Sequence, residues 1–502
     1  LCLRRWRPRA RGARRALDPL KKTQKVHTMK KLHHLLPLAA ALFLAGCATA
    51  LPPLPTLVDT PPQFREQQRQ NERWTIAQPA EAQSRGTWWK AFNDPVLDDL
   101  AERAGANNSS IQEAAARLAQ ARSLVRGAQA DRAPQIGVGA GASRGAGANT
   151  ANGATPATLL QAGVNLSYEV DLFGRLAGVR DAAALDAQSR EALLQSTRLL
   201  VQAELAQTYL ALRAVDTERT LVQDTATAYG DTLRLTQRRF EAGDVAELDV
   251  IRIQTELAAT EAEVFALSRS RAALENALAV LVGEPASGFA LASSSGTRAL
   301  PVIPAGVPGT VLARRPDVAA AQASLLAAQA RVGVAQAAWF PSVSLTAAAG
   351  YASPDIGDLF KWSARAWGIG ALMSVPLFDG GRREAGVQGA QAQLDAAAAS
   401  YRGQVLNAFR EVEDQLSALR WLQDQSLAQG RAVSAAQRAS AISETRYRNG
   451  LVSQLELLDA RRNELINRRQ AQRVEAAQQQ ATVRLIRAIG GGWESGASAR
   501  GA

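Results

Sequence analysis

Arg446-Tyr447-Arg448-Asn449-Gly450-Leu451-Val452-Ser453-Gln454-Leu455-Glu456-Leu457-Leu458-Asp459-Ala460 decides the fold, because the stretch occurs twice. Its counterpart is Arg239-Phe240-Glu241-Ala242-Gly243-Asp244-Val245-Ala246-Glu247-Leu248-Asp249-Val250. Arg, an aromatic residue, Gly, Val and Leu fall at matching places, offset by 450 − 243 = 207. Each copy reads as a Gly-capped turn between two long helices. The offset recurs where Ala133-Pro134-Gln135-Ile136 answers Phe340-Pro341-Ser342-Val343, since 341 − 134 = 207. Leu172-Phe173-Gly174 answers Leu377-Phe378-Asp379-Gly380 at nearly the same spacing. Markers in one order at one spacing mean that a unit of about 200 residues is duplicated.

Outward from the first turn, residues 176–240 contain no Pro and are rich in Ala, Leu, Gln, Arg and Glu, all strong helix formers. At 1.5 Å per residue they make a rod of about 95 Å. A second helix returns over 246–282 and stops at Val282-Gly283-Glu284-Pro285. The second unit repeats this with a Pro-free rod over 382–448 and a return to 489. Ahead of each rod stand a helix (110–131 and 317–338) and two segments of period-two alternation. Those segments, at about 135–146, 160–171, 342–352 and 366–377, have the length and pattern of membrane barrel strands. The units therefore span 88–283 and 316–490, each a helix, a β-hairpin and a long αα-hairpin, with a connector over 284–315 and an unstructured tail over 491–502. Ala abounds in the rods and large residues are few, so the helices are expected to pack closely without a thick core.

Four membrane strands cannot close on themselves, because open edges leave N–H and C=O groups unbonded in lipid and the smallest barrels use about eight strands. Several copies must pool their strands, and the symmetric solution is a ring. Long helices continuing that ring would wall a hollow cylinder.

The net charge of +12 is misleading. Residues 1–46 hold 12 Lys/Arg and one acid, Asp18, which leaves 58 − 12 = 46 basic against 46 − 1 = 45 acidic residues from position 47 on. The near-neutral remainder gives no reason to expect nucleic acid. The same segment holds all three His and one of the two Cys, so later chemistry by His-based nucleophiles, zinc or disulfides is excluded. Met29-Lys30-Lys31, an apolar run to Leu44, and Leu44-Ala45-Gly46-Cys47 have the layout of a secretory signal over 29–46. Met29 reads as the start, with 1–28 as upstream sequence translated in frame. Residues 47–87, rich in Pro, Gln and Thr, read as an extended tether. No metal set occurs, and no G-x-x-x-x-G-K-[ST] phosphate cradle either.

With these features, the chain resembles the outer-membrane efflux duct family of Gram-negative bacteria, in its lipoprotein branch of the multidrug and nodulation type. The most specific match is Arg314-Arg315-Pro316-Asp317-Val318-Ala319-Ala320-Ala321-Gln322-Ala323-Ser324-Leu325, where Gln322 stands in place of the family's usual Glu. Trp88-Trp89 through Asp94-Pro95, Glu169-Val170-Asp171-Leu172-Phe173-Gly174-Arg175 and Val375-Pro376-Leu377-Phe378-Asp379-Gly380-Gly381-Arg382 support it. The resemblance implies a homotrimer whose twelve-stranded β-barrel in the outer membrane continues as a periplasmic α-helical barrel. Such a duct is a passive gated channel fed by a periplasmic adaptor and an inner-membrane pump, of the RND type for this branch, and has no enzymatic activity. Leu44-Ala45-Gly46-Cys47 resembles a lipobox, which implies diacylglycerol and an N-acyl chain on Cys47 and no other cofactor. Ala48 after it favours delivery to the outer membrane.

Carried over by position, the family's gate falls on Leu455 and Asp459, four apart on one helix face, where three Asp459 carboxylates in a ring would make a cation-attracting constriction. The same pair also reads as a packing Leu and a solvated Asp beside Arg461 and Arg462. Arg252 occupies the matching place in the first unit, so the hairpins are not equivalent. The turn residues Gly243, Val245, Leu248, Gly450, Val452 and Leu455 would meet the adaptor, or would simply close αα-hairpins. Trp362 and Trp367 read as an interfacial aromatic belt or as packing residues, and Asp171 and Asp379 as helix N-caps. A periplasmic coiled-coil lipoprotein with an envelope-bridging role is the alternative, but it leaves the alternating segments unexplained.

Overall fold

A computed structural model describes residues 87–146, 156–296 and 308–491, together with positions 52, 53, 64, 65, 300 and 301. Cys47, the lipobox residues 44–46, the leader and the tail from 492 lie outside the described residues.

After a 3-10 turn at Trp88–Phe92, Asp94 starts α1 (Pro95–Asn107) by accepting from Val96 N and Leu97 N, with Pro95 at the first helical position. Asn108 ends that helix and caps the next, α2 (Ser109–Ala130), through Ser110 N and Ile111 N. The chain continues as β1 (Gln135–Gly145), β2 (Ala157–Val170), α3 (Arg175–Glu241) and α4 (Glu247–Leu281). A short helix α5 (Pro308–Arg314) precedes the second unit: α6 (Pro316–Ala337), β3 (Ser342–Ser353), β4 (Arg365–Ser374), α7 (Arg382–Arg448) and α8 (Gln454–Ala488). Duplication is visible in the boundaries. Both rods have 67 residues and both return helices 35, and their starts differ by 382 − 175 = 207 and 454 − 247 = 207.

The strands form one antiparallel sheet in the order β1-β2-β3-β4. Its central pairing, β2 with β3, joins the two units, and Gly163 faces Gly350 there so closely that a Cβ on Gly350 would lie 2.3 Å from the Ala162 carbonyl oxygen. Next to the sheet the helices lie in the order α2-α3-α6-α7, with Ser189 of α3 bonded to Ala320 O and Ser324 of α6. Farther down, α4 and α8 take over from α2 and α6, giving α4-α3-α8-α7. Arg461 of α8 bonds Thr232 of α3 at 2.8 Å, and Gln429 of α7 bonds Asn467 O of α8 at 3.0 Å. At every level the protomer is thus a wall four elements wide with two open edges.

Several expectations need correction. A substantial core does exist, midway along the wall, where α4 and α8 end and the chain must cross. Trp88, Trp89, Phe92, Leu97, Leu205, Tyr209, Leu278 and Ile486 all belong to it. The 3-10 turn and α1 fill a place that needs bulk, whereas the rods beyond it pack through small residues. The tether is not wholly free of the wall: Phe64 is 1% exposed, its ring 6.4 Å from Phe409, and Pro52 O accepts from Gln329. Strand β4 stops at Ser374 rather than 377, because Pro376 cannot donate to a ladder. The rods begin after Gly174 and Gly381, 207 apart, so Gly174 answers Gly381 and the pairing of Leu172-Phe173-Gly174 with Leu377-Phe378-Asp379-Gly380 was out by two residues.

Candidate functional site

Period two and the observed register sort the sheet into two faces. Ile136, Val138, Val164, Leu166, Leu345, Trp367 and Ile369 share one face, with Ala between them. Gly137, Gly139, Gly141, Gln161, Asn165, Thr346, Gly368 and Gly370 share the other. Side chains on β4 and nearly all of β1 are exposed, so among the described residues nothing covers either face of these two edge strands. A hollow of about 460 Å³ lies against the sheet, bordered by Gln161 and Asn165 of the small and polar face and by Val164 and Trp367 of the apolar one. One apolar face and one small, polar face are the arrangement of a barrel wall between lipid and water.

Aromatic residues lie at both ends of that sheet. At the loop end Trp362 is 74% and Trp367 78% exposed, and Tyr351 meets Phe360 edge-on at 5.6 Å. At the helix end Phe173 stacks on Phe340 at 4.8 Å, and the Arg383 guanidinium lies 4.5 Å from the Trp339 ring. This second group was not singled out from the sequence, although Trp339-Phe340 beside the Pro341 marker was the signal for it. Asp171 and Asp379 serve the rods from outside the N-cap position. Asp171 accepts from Leu176 N and Ala177 N, and Asp379 from Gly381 N and Arg383 N, while Gly174 and Gly381 occupy the cap itself.

At the far end, both turns close with the same hydrogen bond. Asp244 N donates to Arg239 O and Leu451 N to Arg446 O, each at 2.8 Å, with Gly243 at φ 82° and Gly450 at φ 72°. Tyr229, Ile253 and Leu458 pack together and tie the hairpins to each other, helped by Gln454 donating to Asp249 O and Arg239 lying over the Tyr447 ring. Leu248 and Leu455 remain 54% and 46% exposed, Gly243 and Gly450 are exposed, and Val245 and Val452 are half-buried. Leu451, which sequence reasoning passed over, is 67% exposed. Leu455 and Asp459 share an exposed face of α8, while their neighbours Leu457 and Leu458 face inward. Arg461 pairs with Glu444 and Arg462 with Glu256, so among the described residues neither neutralises Asp459.

The two hairpins are joined along the rods as well. Arg469 of α8 bonds Glu218 of α3 at 2.8 Å and also Glu263 of α4. At the core, Asp216 accepts from Arg271, Arg213, Ser293 and Ser294 N, which binds the connector to α3 and α4. Burial pushes the Asp216 carboxyl up, but these donors more than offset it and hold it below the usual carboxylate range. Among the described residues no His/Cys/Asp/Glu cluster could hold a metal ion.

This geometry agrees with what the chain resembles in known proteins. The family model for outer membrane efflux proteins matches residues 100–284 and again residues 307–491. The toluene efflux pump outer membrane protein TtgC of Pseudomonas putida is 33% identical over 468 residues, covering 91% of this chain and 96% of that protein. The cation efflux system protein CusC of Escherichia coli O6:H1 is 29% identical over 462 residues, covering 92% and 99%. The solved outer-membrane channel OprN superposes with a TM-score of 0.82 at 30% identity, covering 89% of this chain and all of that one. The chain belongs to the outer membrane efflux protein family. It is an outer-membrane channel component of efflux, spanning that membrane and reaching into the periplasm, and not an enzyme.

Proposed function

We propose that three copies close edge to edge into a twelve-stranded barrel and a helical tunnel, through which small toxic molecules pass from an RND-type inner-membrane pump and a periplasmic adaptor to the outside. The four-wide wall with two open edges carries this reading, since a lipid-exposed sheet with free edges is not viable alone. The relatives' names speak of toluene in one case and cations in another, so the family's fold is compatible with chemically different cargoes. Diacylglycerol and an N-acyl chain on Cys47 anchor the chain beside its barrel, more than one acyl chain being needed for stable anchoring. Gly243, Val245, Leu248, Gly450, Val452 and Leu455 form the adaptor-facing tip. Trp362 and Trp367 seat the barrel at the outer interface.

Leu455 and Asp459 form the periplasmic constriction. Three Asp459 carboxylates repel one another, and the Arg461 and Arg462 contacts across the helices hold them in place against that repulsion. Planar-bilayer conductance tests the gate: Asp459→Ala should give larger or more frequent openings than the wild type. Unchanged conductance would remove Asp459 from the gate.

A further inference from the structure

The apolar face of the sheet carries only two charged residues among those described, and both are Arg. Arg144 lies at the end of β1 and Arg365 at the start of β4, in register with the apolar rows and not with the Gly-rich ones. Both are exposed, and both lie at the loop end, away from the helices. The apolar rows run from the Val343–Met373 pair to the Tyr351–Arg365 pair, about 27 Å along the strand and about 21 Å upright after a tilt of about 40°. That nearly fills the apolar band of an outer-membrane barrel, so Arg365 and Arg144 stand at its outer rim, at the level of lipid headgroups.

Arg365 is held ready for a ligand. Its guanidinium carbon lies over the Trp362 ring, 3.1 Å from the centroid, and its Nε donates to Trp362 O at 2.8 Å. Among the described residues its two Nη groups have no protein partner. Among the described residues Arg144 is engaged only by a 3.3 Å bond to Thr158. Among the described loop carboxylates, Asp358 is neutralised by Lys361 and Asp355 is not. Because β1 and β4 are the two edges, ring closure brings Arg144 of one copy and Arg365 of the next to either side of the same boundary.

We propose that Arg365 and Arg144 form a binding site for the phosphate headgroup of an outer-leaflet glycolipid, one site at each boundary between copies. Planar guanidinium groups recognise phosphate oxygens in pairs, and the exposed apolar rows below receive the acyl chains. The site rests on the ring proposed above, so the test must read both.

Protein purified in an uncharged maltoside detergent would be titrated with bis-phosphorylated lipid A, with lipid A stripped of both phosphates, and with inorganic phosphate, its trimer content being measured in the same samples. Saturable binding of the phosphorylated lipid at least about tenfold tighter than of the stripped form is expected, with inorganic phosphate not competing at equal concentration. Arg365→Ala and Arg144→Ala should each weaken it about tenfold, the loss of one charge-assisted contact, and Arg365→Lys by less. Equal binding of both lipids by a trimer, or unchanged binding by both Ala variants, would overturn the headgroup site alone. Displacement by inorganic phosphate would make it a site for free anions. A protein that stays monomeric would overturn ring and site together.

Discussion

Asp216 shows how much one carboxylate can hold in place here. It is 1% exposed and neutralises Arg213, itself 4% exposed, and Arg271, which also grip the Ala292 and Leu291 carbonyls of the connector. Asp216→Asn would leave the Arg213 guanidinium near the core without its counter-ion and Arg271 with Glu275 alone, so a loss of about 3–5 kcal/mol is expected, read as a lower unfolding temperature. The pH dependence has a definite sign. Donor bonds hold the folded carboxyl below its unfolded value of about 4, so its contribution is complete above that value and disappears as the pH falls through the folded one. Asp317 shifts the same way, because burial raises it less than Arg315, Val318 N and Gln404 lower it. The wild type should therefore lose unfolding temperature between pH 5 and about pH 3. Asp216→Asn, having already lost one of these carboxylates, should lose less over the same range; an equal or steeper loss would remove Asp216 from the acid response.

At the scale of elements, the Gly turns look alike but are not equally exacting. Gly243 and Gly450 have positive φ, and an added Cβ would meet nothing within 4 Å. Gly450→Ala should therefore cost only the left-handed backbone strain, about 1 kcal/mol, and Gly450→Asn less. Amide exchange at residues 447–455 should quicken about fivefold while the global unfolding temperature stays put. Gly283 ends α4 with the same cap, but its Cβ would lie 2.5 Å from the Asn107 carbonyl oxygen. Gly283→Ala should destabilise the whole core, visibly in thermal unfolding. The turns themselves were legible in the sequence because Gly, an aromatic residue and Leu recur at a fixed offset, and the strands because alternation is local. What sequence alone does not show is which Gly is crowded, since Asn107 is remote along the chain. The four donors converging on Asp216 come from residues 213, 271, 293 and 294, and no local pattern links them. Helix α1 was missed for a different reason: Asp94-Pro95 is a good start signal, but the 13-residue helix is short beside the rods.

For the whole molecule, the duplicated units explain why the wall is four elements wide, and the open edges explain why one copy is not enough. In the ring, β4 of one copy must run beside β1 of the next, and this can be tested directly by chemistry that a single copy cannot perform. Within one protomer β1 and β4 are separated by three strand spacings of about 4.8 Å each, hence about 14 Å. A disulfide needs Cα atoms within about 7 Å, so cysteines on these two strands cannot join inside one chain. Ala142→Cys combined in turn with Ile369→Cys, Ala371→Cys or Met373→Cys samples successive registers on the apolar face of the two edges, centred on the Ala142–Ala371 pairing that the β2–β3 register gives when both strands are shifted by the 207-residue repeat. For one of these pairs, oxidation in the outer membrane should give a covalent trimer on a non-reducing gel, while each single-cysteine control stays monomeric there. A ladder growing past three would mean that the edges meet without closing. No linkage at any register, with both cysteines shown to react with a small thiol reagent, would mean that something other than a neighbouring copy covers the edges.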